Sequence, residues 1–221
     1  VYGLGAASVS KYVVGVDTQE AFSAAKDYQS SLVGKNISEV FKNIEAVEKD
    51  LSFNPGARAA INIALHDVYC KHTNISLGGL LGQKTSPLPT SVTVGIKSAT
   101  ETIAEIEEYL AGGFKNIKIK LGEEVEKDIE RMLKVQERFG NSIVVRIDAN
   151  QGWSFEETLA FVGVVKNIEL IEQPLNVNSS EEYLRFPKEV KKLIALDETI
   201  VTPEDAIKFS LEDYAGIFNI K

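Results

Sequence analysis

Cysteine, methionine and tryptophan each occur once in the 221 residues, histidine twice and proline six times. One cysteine, Cys70, excludes an intrachain disulfide and fits a reducing compartment. His66 and His72 stand six residues apart in a helical region and read as surface or packing residues rather than metal ligands. No apolar run reaches the roughly 20 residues of a spanning helix. The N-terminus shows no basic stretch followed by an apolar one, so neither membrane insertion nor a leader is expected, and the location expected is cytoplasmic. Lysine and arginine do not cluster, and the net charge is −8, which argues against nucleic-acid or anionic-membrane partners. No Pro/Gly/Ser-rich linker and no charge block interrupt the chain. What is present is ordinary for a packed globular protein: 44 % apolar, 8 % aromatic and 25 % charged residues.

The pattern changes near Pro87, which predicts a mostly helical region over 1–87 and a second domain over 88–221. The first region opens with an extended stretch, Val1 to Val16, broken by Gly3, Gly5 and Gly15. Its best helix follows Asn54-Pro55, where Ala57, Ala60, Ile61, Ala64, Leu65 and Val68 recur at the spacing of one buried face. It closes on the turn-rich Leu77-Gly78-Gly79-Leu80-Leu81-Gly82.

The second region alternates short apolar strands with longer amphipathic helices. The strands are read at Ser91–Ile96, Asn116–Leu121, Ile143–Ile147, Leu170–Ile171, Leu193–Leu196 and Ile217–Ile220. The helices are read at Glu101–Leu110, Glu124–Phe139, Phe155–Val165, Ser180–Val190 and Pro203–Leu211. Such alternation implies parallel strands with right-handed crossovers. No Gly-rich phosphate turn follows the first strand, so a closed α/β barrel is favoured over an open dinucleotide-binding sheet.

Ionisable residues stand at or just past the C-terminal ends of five successive strands: Lys118 and Lys120, then Asp148, Glu172, Asp197 and Lys221. From Lys120 onward the spacings are 28, 24, 25 and 24 residues, about one per strand-helix unit. In a parallel barrel these ends meet on one rim, where barrel enzymes place their chemistry. A single such residue is as readily a solvated charge or a helix cap; five at the unit period are not. Three carboxylates without nearby His or Cys make a hard oxygen site, suited to Mg²⁺, with Mn²⁺ as an alternative. Lys118 and Lys120 point to the same side of their strand, and two adjacent ammonium groups near a cation favour a neutral, basic amine. Lys221 enters from the sixth strand, across the barrel. Bases on opposite walls could remove a proton from one face of a carbon and return it to the other. Next to a carboxylate such a proton is very weakly acidic, and a metal on that carboxylate is the expected way to stabilise the enediolate.

The segments Lys118-Ile119-Lys120, Arg146-Ile147-Asp148-Ala149-Asn150-Gln151-Gly152-Trp153, Ile171-Glu172-Gln173-Pro174, Leu196-Asp197-Glu198-Thr199 and Asn219-Ile220-Lys221 resemble the muconate-lactonizing subgroup of the enolase superfamily. Within it they are most similar to the dipeptide epimerases acting on L-Ala-D/L-Glu. Ala57-Arg58-Ala59-Ala60 to Ala64-Leu65-His66-Asp67 resembles the helix before the family's barrel. The resemblance implies a (β/α)7β barrel, about six strands of it present, behind a partial N-terminal α+β capping domain. It implies Asp148, Glu172 and Asp197 as ligands of one Mg²⁺, Lys120 and Lys221 as acid/base catalysts, and Lys118 as a substrate contact that helps lower the pKa of Lys120. Thr93 matches a substrate-contacting position, while Asn150 and Glu198 match groups that orient ligands or lysines. A small dipeptide is then the expected substrate, and a homo-oligomer is compatible. Measured against the family, the chain is expected to be truncated at both ends, lacking the N-terminal meander and the later strand with an Asp-x-Asp motif. The same lysines and carboxylates serve o-succinylbenzoate synthases, N-acylamino-acid racemases and cycloisomerases. A Schiff-base aldolase would need only the lysines, and a metal-binding relic would turn nothing over.

Overall fold

The computed structural model describes residues 1–84 and 88–220, which fall into two compact units, Val1–Ser86 and Pro87–Lys221. The first unit is helical: α1 (Lys11–Val14), α2 (Thr18–Leu32), α3 (Val40–Asp50), α4 (Pro55–Thr73) and α5 (Leu77–Leu80). The expected extended opening holds only to Ser10, because α1 forms and is closed by Gly15 at φ +77°. Asn54 caps α4 by accepting from Ala57 N, and Pro55 takes the first helical position, where a missing N–H costs nothing. Val47, Leu51, Ala57 and Ile61 form this unit's core, with Ala24, Ala25, Tyr28, Leu32 and Leu65 packed around them. His66 Nδ1 meets Asn62 O at 3.0 Å, one turn back on its own helix, and Cys70 is buried. Both histidines and the cysteine lie on α4, with His72 exposed and His66 half-buried.

The second unit alternates β1 (Ser91–Val94), α6 (Ala99–Ala111), β2 (Asn116–Lys120), α7 (Val125–Phe139), β3 (Val144–Asp148), α8 (Phe155–Val164), β4 (Leu170–Glu172), α9 (Lys188–Lys191), β5 (Ile194–Leu196), α10 (Pro203–Leu211) and β6 (Ile217–Phe218). All pairings are parallel, and the six strands lie in sequence order, β1 to β6. A doubly wound sheet reverses order at a switch point; this one never does, as in a barrel wound one way. α6, α8 and α10 start on capping boxes, Ser98 with Glu101, Ser154 with Glu157, and Thr202 with Asp205.

One expected helix is replaced. Instead of a helix over Ser180–Val190, a 3₁₀ segment runs over Val177–Arg185 and α9 follows separately. Pro187 is the cause: it has no N–H to donate, and it holds Phe186 before it at ψ 144°, outside the helical region.

Side chains alternate along each strand, so one face of the sheet carries Ile117, Ile119, Val145, Ile147 and Ile171, all buried. They form the core with Met132 and Val135 of α7 and Phe161 of α8. The strands must be apolar on this face, which leaves the opposite face free for polar residues. Among the described residues no helix is long and apolar enough to cross a membrane.

Candidate active site

The strand register builds the site. Lys120 lies beside Asp148, and Asp148 beside Glu172; Glu172 pairs with Ala195, so Asp197 stands two residues further along β5's direction. One level down, Thr93 pairs with Lys118 and Lys118 with Arg146. Registered neighbours on parallel strands point the same way, so Thr93, Lys118, Lys120, Asp148 and Glu172 share the face opposite the helix-packed core. Thr93 is exposed there. Asp148, Glu172 and Asp197 are buried, at 3 %, 6 % and 6 % exposure.

Lys118 Nζ bridges Asp148 Oδ2 at 2.9 Å and Glu172 Oε2 at 2.6 Å. Lys120 Nζ donates to Asn150 Oδ1 at 2.8 Å and lies 3.6 Å from Asp148 Oδ2. Asn150 also donates its N–H to Asp148 Oδ1 at 3.1 Å, so it touches one acid and one lysine. Asn219 Nδ2 donates to Glu172 Oε1 at 3.0 Å. Burial is the largest influence on Glu172 and raises its pKa; Lys118 pulls it down, while the neighbouring charges of Asp148 and Asp197 push it up again. Burial works against the Lys118 ammonium too, but hydrogen bonds to Glu172 and Asp148 outweigh it and hold that pKa above the ordinary value. With two carboxylates in contact, Lys118 is thus held in its charged form.

As placed, no three His, Cys, Asp or Glu side chains among the described residues converge on one point, since the Lys118 ammonium stands between Asp148 and Glu172. The donor set nonetheless fits a divalent ion. It is all oxygen, it is buried, and the mutual repulsion seen at Glu172 is what a dication offsets.

Glu198 is half-buried, and its Oε2 is enclosed with no hydrogen-bond partner among the described residues. Lys221 lies outside the described residues.

The loops beyond β2 and β3 are held by groups that the sequence reading passed over. Arg131 and Asp128 on α7 form a buried pair at 3.1 Å. Arg131 donates to Lys97 O at 2.8 Å and to Lys120 O at 2.7 Å, clamping the backbone of the rim lysine. Asp128 Oδ2 accepts from Gly122 N at 2.9 Å, Glu123 N at 3.2 Å and Trp153 Nε1 at 3.2 Å. The two loops also meet backbone to backbone, for a Cβ on Gly152 would lie 2.1 Å from Gly122 O. An Asp and an Arg three apart on an amphipathic helix look like a surface pair in sequence, so nothing local marked them.

Sequential parallel strands with acids and lysines at their C-terminal ends define a βα-barrel protein with a polar, carboxylate-rich rim. Residues 101–221 match the enolase C-terminal domain-like family, and residues 1–82 match the N-terminal domain of mandelate racemase / muconate lactonizing enzyme. The chain belongs to this family of the enolase superfamily. It is 40 % identical to an L-Lys-D/L-Arg epimerase of Desulforapulum autotrophicum, over 100 % of this chain and 63 % of that protein. It is 29 % identical to an L-Ala-D/L-Glu epimerase of Francisella tularensis subsp. novicida, over 99 % of this chain and 63 % of that protein. A dipeptide epimerase from Methylococcus capsulatus, solved with Mg and the dipeptide L-Arg-D-Lys, superposes with a TM-score of 0.92 at 36 % identity, covering 99 % of this chain and 63 % of that one. The chain thus spans 63 % of the length of these relatives.

Proposed function

We propose that the protein containing this chain is a Mg²⁺-dependent dipeptide epimerase. The carrying observation is the rim itself: Asp148 and Glu172 side by side at strand ends, Asp197 one residue past β5, and Lys118 and Lys120 against the acids. Asp148, Glu172 and Asp197 would hold the ion, which would neutralise them and stabilise negative charge growing on a substrate carboxylate. Lys118 supplies a fixed positive charge beside that carboxylate. Lys120, oriented by Asn150, moves a proton on one face of the α-carbon. Lys221 is assigned the opposite face on sequence alone.

The substrate reading shifts from the one first expected. Relatives named for L-Lys-D/L-Arg are 40 % and 38 % identical to this chain, whereas those named for L-Ala-D/L-Glu are 29–30 % identical. A dipeptide with cationic side chains is therefore the first substrate to try, and L-Ala-L-Glu the second.

The test is a panel of L,L-dipeptides incubated with the full-length protein and Mg²⁺ in deuterated water, followed by mass spectrometry and chiral analysis. Exchange and epimerisation at the C-terminal residue are expected, with Lys-Arg ahead of Ala-Glu. Lys120→Ala should abolish net epimerisation yet retain exchange with one epimer, and Lys221→Ala with the other. Dehydration of a cyclohexadiene carboxylate with no dipeptide exchange would overturn the proposal in favour of a synthase.

A further inference from the structure

Gln173 follows Glu172 and is fully buried, with its backbone in the left-handed region at φ +39°. A buried amide in an unfavourable backbone state needs a reason, and the strand ladder supplies it. Along β4, Ile171 N donates to Leu193 O at 2.7 Å and Gln173 N to Ala195 O at 2.8 Å. In a parallel ladder the next rung would run from Asp197 N to the backbone carbonyl of Gln173. The left-handed turn carries that carbonyl away, where it accepts from Gln151 N at 2.7 Å on the loop after β3. The side chain fills the rung instead: Gln173 Oε1 accepts from Asp197 N at 2.9 Å and from Thr199 N at 3.2 Å.

The other half of the amide is equally committed. Gln173 Nε2 donates to Thr199 Oγ1 at 2.7 Å and to Leu175 O at 3.0 Å. Two N–H donors face Oε1, so the amide cannot be flipped without setting donor against donor. One residue therefore joins the loop that follows Asp148, the strand end that carries Glu172, and the loop that carries Asp197. β5 ends at Leu196, one residue before its acid, and the Gln173 side chain takes the rung that the ladder would place at Asp197 N.

We propose that Gln173 is the positioning residue that sets the spacing of Asp148, Glu172 and Asp197, and through it the affinity of the three carboxylates for a divalent cation; this rests on the metal reading above. Only glutamine meets the demands of the position. Glutamate would add charge among carboxylates and lose the N–H donors, asparagine is one methylene short, and methionine fills the space but bonds to nothing.

The test uses the metal-free full-length protein in four forms: wild type, Gln173→Met, Thr199→Val and Val135→Ala. Val135 is fully buried on α7, an element that carries none of the three acids, so its truncation serves as the control for lost stability alone. Mn²⁺ binding is followed by electron paramagnetic resonance, and amide hydrogen exchange over residues 195–200 is measured without metal. Gln173→Met is expected to weaken Mn²⁺ binding about 10- to 100-fold. It should also speed exchange at the Asp197 and Thr199 amides. Thr199→Val, which loosens Nε2 but keeps Oε1, is expected to lose about threefold by the same logic. It decides the matter if Gln173→Met does not fold. Val135→Ala should lower the melting temperature and leave Mn²⁺ affinity and local exchange as in wild type. Affinity unchanged in the Gln173 and Thr199 variants, or weakened as much by Val135→Ala, overturns the proposal. Wild-type protein that binds no Mn²⁺ overturns the metal reading instead, and unaltered exchange at Asp197 and Thr199 then overturns the positioning role separately.

Discussion

Replacing Arg131 by methionine removes a guanidinium that is buried with 6 % of its side chain exposed, against a carboxylate with 3 % exposed. Methionine keeps most of the apolar stem, so the loss is electrostatic and hydrogen-bonded rather than a cavity. Three acceptors are affected: Lys97 O and Lys120 O lose their donor, and Asp128 loses its cation. Breaking a buried pair from one side costs about 3–5 kcal/mol. Asp128 keeps its bonds from Gly122, Glu123 and Trp153, which places the expected loss near the lower end, about 3 kcal/mol. For a unit of this size that is a fall in melting temperature of roughly 10 °C. Asp128→Asn keeps an acceptor for those three donors but turns its N–H₂ toward Arg131 and leaves the guanidinium buried without its anion, so its cost should be similar, about 3 kcal/mol. In the double variant the charge mismatch is gone, and the two losses should overlap by at least about 1 kcal/mol. Trp153, the one tryptophan in the sequence, donates to Asp128, so its fluorescence during thermal or urea unfolding reports directly on the network. A loss below about 1 kcal/mol for Arg131→Met, or strict additivity in the cycle, would refute the claim that this pair holds the loop beyond β2.

Gly152→Ala should destabilise by at least about 2 kcal/mol, since its Cβ would sit 2.1 Å from a backbone oxygen that cannot swing aside; calorimetry showing a neutral change would mean the two loops are not packed as described. Mg²⁺ at a hundredfold excess over its dissociation constant should stabilise the wild type by about 2.7 kcal/mol and Asp197→Asn by nearly nothing, a comparison that thermal shift with and without chelator makes directly. Glu157 is held below the ordinary carboxylate range first by the backbone N–H of Ser154 and then by its hydroxyl. A depressed folded-state pKa contributes stability that is present above the unfolded value and is lost as pH falls through the folded one. Glu157→Gln keeps the cap geometry without the titration, so its stability should fall less steeply than wild type below about pH 4.5. Parallel acid limbs for the two proteins would contradict that cause.

Periodicity and punctuation were enough for the six strands and for every helix expected in the second unit except the one read over Ser180–Val190. The helix expected at Pro203–Leu211 forms over those residues, and Asn116, Leu170 and Leu196 open or close their strands as read, because apolar alternation and capping residues act within a few positions. Asp148, Glu172 and Asp197 were legible as strand-end acids for the same reason: one strand-helix unit takes about 25 residues, so a repeated spacing reports a repeated place. Pro187 carries a local signal that the helix read over Ser180–Val190 ignored, and the break there follows from the proline itself. The tertiary structure alone decided what these residues touch. Sequence spacing puts Lys118 on the same side as Lys120, yet only strand register brings its ammonium between Asp148 and Glu172, 30 and 54 residues away, where it is held above its ordinary pKa. Asp128 and Arg131 look like any helix-surface pair until the loops from β2 and β3 fold over them. Gln173 reads as one letter of a motif, and its work becomes visible only when Ala195, Asp197 and Gln151 arrive from other strands. Local backbone preference is written in neighbouring residues; the partners of a buried polar group come from distant ones, and only the folded chain brings them within hydrogen-bonding reach.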